Sequence, residues 1–241
     1  MSNLKNVEAF GKLVGICTGY GGSYNPGKPN LRMESLTELL ANSREAVRQV
    51  STAKTELENA TNKREVAYIN LKKLVSRIVF ELRSSQVLPQ TLADAYVAVR
   101  KIRGQVLKDR APVASTANEV AVEVTRKRTY GSDYSSVVYH FQKLIQTLAA
   151  EPRYQPGITD LQVPSLQTTL SELRAINAAV LNAVVAWGKA RRDRNELLYT
   201  NENSLIAIAR AVRQQVRATF GHNSEATRAT YQIRFTKPNV R

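Results

Sequence analysis

From Ser35 onward the chain alternates apolar and polar residues with the period of a helix. Apolar side chains recur in steps of three and four at Leu36, Leu40, Val47, Val50 and Leu57, then at Tyr68, Leu71, Val75, Ile78 and Leu82. A second series runs Leu166, Leu170, Leu173, Val180, Val184 and Trp187, then Leu198, Leu205, Ile208, Val212 and Val216. No Pro or Gly interrupts the first series before Pro89, and only Gly188 interrupts the second before Gly221. A short amphipathic segment precedes each: Phe10, Leu13 and Val14 in one case, Phe141, Leu144, Ile145 and Leu148 in the other. A weaker segment follows each. Leu92, Ala95, Tyr96, Val99 and Ile102 form a helical stripe, whereas the counterpart around Tyr231-Gln-Ile233-Arg234-Phe235 is shorter and fits either a helix or an extended strand.

Both long series turn polar in the middle, at Asn59-Ala-Thr-Asn62-Lys-Arg64 and at Lys189-Ala-Arg191-Arg192-Asp-Arg194. Two arrangements satisfy this: one helix of about 50 residues, about 75 Å long, or a helical hairpin that turns in the polar stretch. Asn59 and Asn62 suit a turn, Gly188 suits a helix end, and ordinary helix lengths are shorter. These features favour the hairpin.

The two series belong to a duplicated unit. Tyr24-Asn-Pro26-Gly27-Lys-Pro-Asn-Leu31 with Ser35-Leu36 matches Tyr154-Gln-Pro156-Gly157-Ile-Thr-Asp-Leu161 with Ser165-Leu166 at a constant offset of 130. Phe10-Gly-Lys12-Leu13 matches Phe141-Gln-Lys143-Leu144 at 131, as do Glu65 and Tyr68 with Glu196 and Tyr199. Each unit should carry a type II turn at Pro-Gly and then a helix start. In the first copy Ser35 and Glu38 have capping-box spacing; in the second, Pro164-Ser165 serves, with Pro tolerated in a first turn. The expected organisation is a first helical repeat over residues 1–104, a basic linker over 105–131 and a second helical repeat over 132–241. Val120, Val122 and Val124 alternate as one short strand within the linker would. The fold class is therefore all-α: a helical bundle of two homologous halves, packed face to face with pseudo-two-fold symmetry around one core.

Composition narrows the class without naming a function. With 43% hydrophobic and 23% charged residues in 241, the chain has globular rather than disordered usage. One cysteine, Cys17, excludes an intrachain disulfide framework, and two histidines cannot complete a Cys/His metal cluster. Lys5, Glu8 and Lys12 interrupt what would be a signal core, and no apolar run reaches a membrane-spanning length. These features lead us to expect a soluble, cytoplasmic protein. Charge is the outlier. Lys and Arg number 35 against 20 Asp and Glu, a formal net charge of +15. The excess is shared: 16 basic and 9 acidic residues in 1–104, 14 and 8 in 132–241.

Residues 15–22, Gly-Ile-Cys-Thr-Gly-Tyr-Gly-Gly, lack the spacing of a phosphate-binding loop and read as a surface loop. Cys17 has no histidine in its own segment, His140 and His222 lie in the other half, and Glu34/Glu38 suit a helix start. No enzyme, cofactor or metal is expected. The basic residues carry more information. Arg210, Arg213 and Arg217 fall on one helical stripe; Lys73 and Arg77 make a shorter one; Arg191, Arg192 and Arg194 cluster, as do Arg100, Lys101 and Arg103, and Arg126, Lys127 and Arg128. Such rows either neutralise phosphates in a sequence-independent, salt-sensitive manner or are solvated faces with acidic partners one turn away.

The segments Glu58-Asn-Ala-Thr-Asn-Lys-Arg-Glu-Val-Ala-Tyr68, Val99-Arg-Lys-Ile-Arg-Gly104, His140-Phe-Gln-Lys-Leu-Ile145 and Ile233-Arg-Phe-Thr-Lys237 resemble a family of duplicated helical proteins of Bacteroidota to which no activity is attached. The resemblance implies a bacterial cytoplasmic helical protein and no mechanism. The functional expectation is a non-enzymatic helical protein binding nucleic acid or another polyanion without sequence specificity. The alternative is a structural or self-assembling scaffold that uses its two halves as interaction surfaces.

Overall fold

A computed structural model describes residues 2–104 and 133–236 of the chain. The strand expected at Val120–124 and the run Arg126, Lys127 and Arg128 lie outside the described residues. Among the described residues every regular element is helical. Seven α-helices follow in order: α1 (Ser2–Gly19), α2 (Met33–Ser84), α3 (Pro89–Arg103), α4 (Tyr134–Ala149), α5 (Val163–Asn195), α6 (Leu205–Phe220) and α7 (Glu225–Gln232). The all-α expectation holds for them, and no helix is long and apolar enough to cross a membrane.

The hairpins do not form. Helix α2 runs unbroken for 52 residues through Asn59 and Asn62, about 78 Å at 1.5 Å per residue. An interior Asn costs a helix at most about 0.7 kcal/mol relative to Ala, too little to break a stripe that continues on both sides. Helix α5 likewise passes through Gly188 and the Lys189 to Arg194 stretch before ending at Asn195. It continues into a single π turn, Glu196–Thr200. The chain breaks only at residues 201–204, where the Ser204 hydroxyl accepts the Ala207 N–H at 3.4 Å and caps α6.

The Tyr-x-Pro-Gly segments also differ from expectation. Neither Gly27 nor Gly157 has a positive φ, so neither forms a type II turn. Instead the 3-10 turns Pro29–Leu31 and Thr159–Leu161 lead into α2 and α5. Buried hydroxyls close both: Tyr24 donates to the Leu31 carbonyl at 3.0 Å, and Tyr154 to the Leu161 carbonyl at 2.8 Å. Helix α2 already begins at Met33, so Ser35 is not its cap; the Ser35 hydroxyl donates to the Pro29 carbonyl at 3.0 Å. Pro164 does stand in the first turn of α5. The expected loop over residues 15–22 is helical as far as Gly19, and Gly21 then takes a φ of +52° to open a short 3-10 turn.

The described structure divides into two compact units. The first joins Met1–Glu58 to Asn182–Arg241, and the second is Asn59–Leu181. In the first, α1 (Val7, Phe10, Leu13, Val14, Cys17), Tyr24, Leu31 and the opening of α2 (Leu36, Leu40) enclose a core with Leu198 and α6 (Leu205, Ile208, Val212, Val216). Helix α7 packs on α1 and α6. In the second, the closing stretch of α2 (Leu71, Val75, Ile78, Leu82) and α3 (Ala95, Val99, Ile102) meet α4 (Phe141, Leu144, Ile145, Leu148) and the opening of α5 (Leu166, Leu170, Leu173). The buried residues thus form two cores where one shared core was expected, and each core draws on both halves of the sequence. The opening of α2 belongs to the first unit and its closing stretch to the second.

Candidate functional site

The α6 stripe does not present three equivalent cations. Arg210 and Arg217 are exposed, but Arg213 is half-buried, its guanidinium 5.5 Å from the Tyr231 ring centroid and 5.0 Å from that of Phe235. It donates to the Ile233 carbonyl. Burial holds its pKa below the ordinary arginine value. Its position therefore fits a clasp on the segment after α7. The same segment is held from α1. The fully buried Asn6 amide donates to the Thr236 carbonyl at 2.8 Å and accepts the Thr236 N–H at 2.8 Å. It also donates to the Tyr199 hydroxyl at 3.0 Å, which in turn donates to Asn3 at 2.6 Å.

The cations at the end of α5 divide similarly. Arg192 is exposed; Arg191 lies 4.8 Å from the Trp187 ring centroid; Arg194 is half-buried and donates to Asn195 at 2.7 Å. In the second unit Lys73 is exposed, and Arg77 pairs with Asp160 at 3.4 Å. Both line a groove of about 460 Å³ with Ser165, Thr169 and Glu172. This groove carries charges of both signs.

Two further cationic surfaces join residues that lie far apart in the sequence. In the first unit, α1 and the α7 end form an open groove of about 760 Å³ lined by Lys5, Lys12 and Arg234 with one carboxylate, Glu8, over small residues that include Ala9, Gly15 and Ala229. In the second unit, α3 packs on α4 and brings Lys101 to His140 and Lys143. The His140 pKa is lowered first by burial, then by the charges of Lys101 and Lys143. Tyr139 beside it is 61% exposed. Spacing along α4 shows Tyr139 and Lys143 on one face, but Lys101 is brought in from another helix, which no periodicity reveals.

Ion pairing is sparse. Among the described residues three pairs form, Arg48–Glu45, Lys54–Glu58 and Arg77–Asp160, all solvent-exposed and so worth about 0–1 kcal/mol each. No group of His, Cys, Asp and Glu among these residues is arranged to hold a metal. Cys17 is buried in the first core, where desolvation pushes its thiol up to about 11, the reverse of an activated nucleophile.

These features define a class: a basic protein whose described residues are all helical and enclose two cores. No protein-family model, curated protein or solved structure matches the chain.

Proposed function

We propose that the protein binds nucleic acid or another polyanion, without enzymatic activity and without reading sequence, through cationic faces on both units. The observation that carries this reading is the disproportion between cations and ion pairs. Among the described residues the first unit holds 16 Lys and Arg against 10 Asp and Glu, and the second 12 against 7, while three ion pairs form, all exposed. Unpaired surface cations raise the local concentration of phosphates and release their counterions on binding. Arg210, Arg217, Arg191, Arg192 and Lys73 are the contacts of the original set best exposed for this purpose. Fluorescence anisotropy with labelled DNA and RNA tests it. Binding should be sequence-independent at about 50 mM salt and weaken steeply by about 200 mM; no binding at the lower salt refutes it.

A second reading, a scaffold that self-associates, is favoured by one feature. Val184 and Val185, in the part of α5 that belongs to the first unit, stand 45% and 60% exposed. Light scattering after size exclusion decides it: a monodisperse monomer at high concentration removes the scaffold.

We also read the chain as a duplication, and as a cytoplasmic protein. The matched Tyr24–Leu31 and Tyr154–Leu161 hydrogen bonds support the first.

A further inference from the structure

We infer that the α3–α4 face of the second unit is a contact for single-stranded nucleic acid, with Lys101, Lys143 and Arg174 on phosphates and the Tyr139 ring as a stacking platform for a base. This rests on the polyanion reading and assigns it a place that the original stripes do not include.

Charge is the first support. Lys101, His140 and Lys143 are close enough that both lysines disfavour the charged imidazole. Arg174, exposed on α5, flanks the same helix from the other side and donates to the Gln142 side chain at 2.7 Å. None of these cations forms an ion pair within the described structure. Asp94 on α3, with Asp133 and Glu151 at the two ends of α4, supplies the carboxylates of these helices, and none of the three is paired with a cation. A face with this balance attracts an anion and, among the described residues, has no ion-pair partner to displace.

The exposed ring is the second support. Tyr139 is 61% exposed, and its ring and that of His140 form a T-shaped pair with centroids 5.3 Å apart and planes at 70°. A large, rigid aromatic left in water beside unpaired cations matches the composition of sites that stack unpaired bases while cations track the backbone. A duplex hides its base faces and would use only the cations.

The third support is internal comparison. The first unit carries Lys12 and Arg44 at the positions of Lys143 and Arg174, and the Arg44 guanidinium lies 3.5 Å from where a Cβ on Gly11 would stand. The cation pair is thus present in both units. Where the second unit has Tyr139, the first has Glu8, a carboxylate that repels phosphate and offers no ring. The second unit should therefore dominate on single strands.

The test uses the full chain and anisotropy with a labelled oligothymidylate of about 20 nucleotides, alongside a duplex of similar length. Replacing Lys101, Lys143 and Arg174 together by Ala should weaken single-strand binding about tenfold or more and make the slope of log K against log salt shallower by about 2, roughly 0.7 for each lost contact. The equivalent K12A/R44A chain should lose less. Tyr139→Ala should weaken single-strand binding about fivefold or more and leave the duplex unchanged. Circular dichroism confirms that each variant folds; if the triple variant does not, Lys143→Glu alone should give the same direction of change. A wild-type chain that binds no nucleic acid overturns the polyanion reading itself. Wild-type binding that the triple variant leaves unchanged in affinity and slope overturns this placement alone. Equal loss on single strand and duplex with Tyr139→Ala overturns the stacking role.

Discussion

Cutting the chain once between residues 104 and 133 should not release two proteins. Each core is built from both halves: Leu198, Leu205 and Val212 from the second half are fully buried among first-half residues in one, and Phe141, Leu144 and Leu166 in the other. Burying a large aliphatic or aromatic side chain contributes about 1.5–3 kcal/mol. These six positions alone therefore represent about 9–18 kcal/mol that a lone half forfeits. The cost of holding two chains together is about 4–15 kcal/mol, and many further buried positions add to the favourable side. A protease site placed within residues 105–131 and cleaved to completion should leave a particle of unchanged mass on native size exclusion with light scattering. Its two fragments should separate only in denaturant, and its helical circular dichroism should be unaltered. Fragments that part in native buffer at low micromolar concentration, each still helical and unfolding cooperatively, would overturn this expectation. Each half would then own a complete core.

Three further outcomes follow from single side chains. Tyr24→Phe and Tyr154→Phe each remove one buried hydroxyl and orphan a carbonyl, so each should lower stability by about 1–2 kcal/mol in urea unfolding; a neutral result for either would deny its hydrogen bond a structural part. Asn6→Ala leaves both backbone groups of Thr236 without their partner and should cost about 2 kcal/mol while speeding amide exchange over residues 233–236; unchanged exchange there would show that the segment is held without Asn6. Cys17, with its thiol raised from 9.0 to about 11, should resist thiol reagents at pH 8 until the first unit unfolds. Because the unfolded thiol ionises first, stability should decline as pH rises through and beyond 9.0, and C17A should lack that component.

The helical stripes were legible because burial repeats with the period of the helix. Phe10, Leu13 and Val14, like Phe141, Leu144 and Ile145, point inward as their spacing predicts. Helix length was not legible, for a related reason. The apolar series around Asn59 has the same spacing whether the helix continues or doubles back, and the polar middle fits both a turn and a solvated face. The second long series shows how fine the balance is: α5 runs on through Gly188 and breaks instead at residues 201–204, where Ser204 can cap the next helix. Among the cations, spacing placed Arg210, Arg213 and Arg217 on one stripe. It could not show that Tyr231 and Phe235 return to pack on the middle one. Periodicity identifies an apolar face, and its partner is a tertiary fact.

That same limit hid the α3–α4 face. Lys101 belongs to the first half of the sequence, while Tyr139, His140, Lys143 and Arg174 belong to the second, and the face exists only where the two halves share a core. Its electrostatics are consequently tied to the exchange. Separating the halves would part Lys101 from Lys143 at the same time as it exposed Val99 and Phe141 beneath them. Nucleic-acid affinity should then follow the integrity of the cut particle: retained after cleavage in native buffer, and lost together with helicity as denaturant separates the fragments. A loss of binding on cleavage without any loss of helicity would mean that the linker, rather than the α3–α4 face, carries the contact. Residues 105–131 hold Arg126, Lys127 and Arg128, so the cut chain discriminates the two sources of positive charge in one experiment.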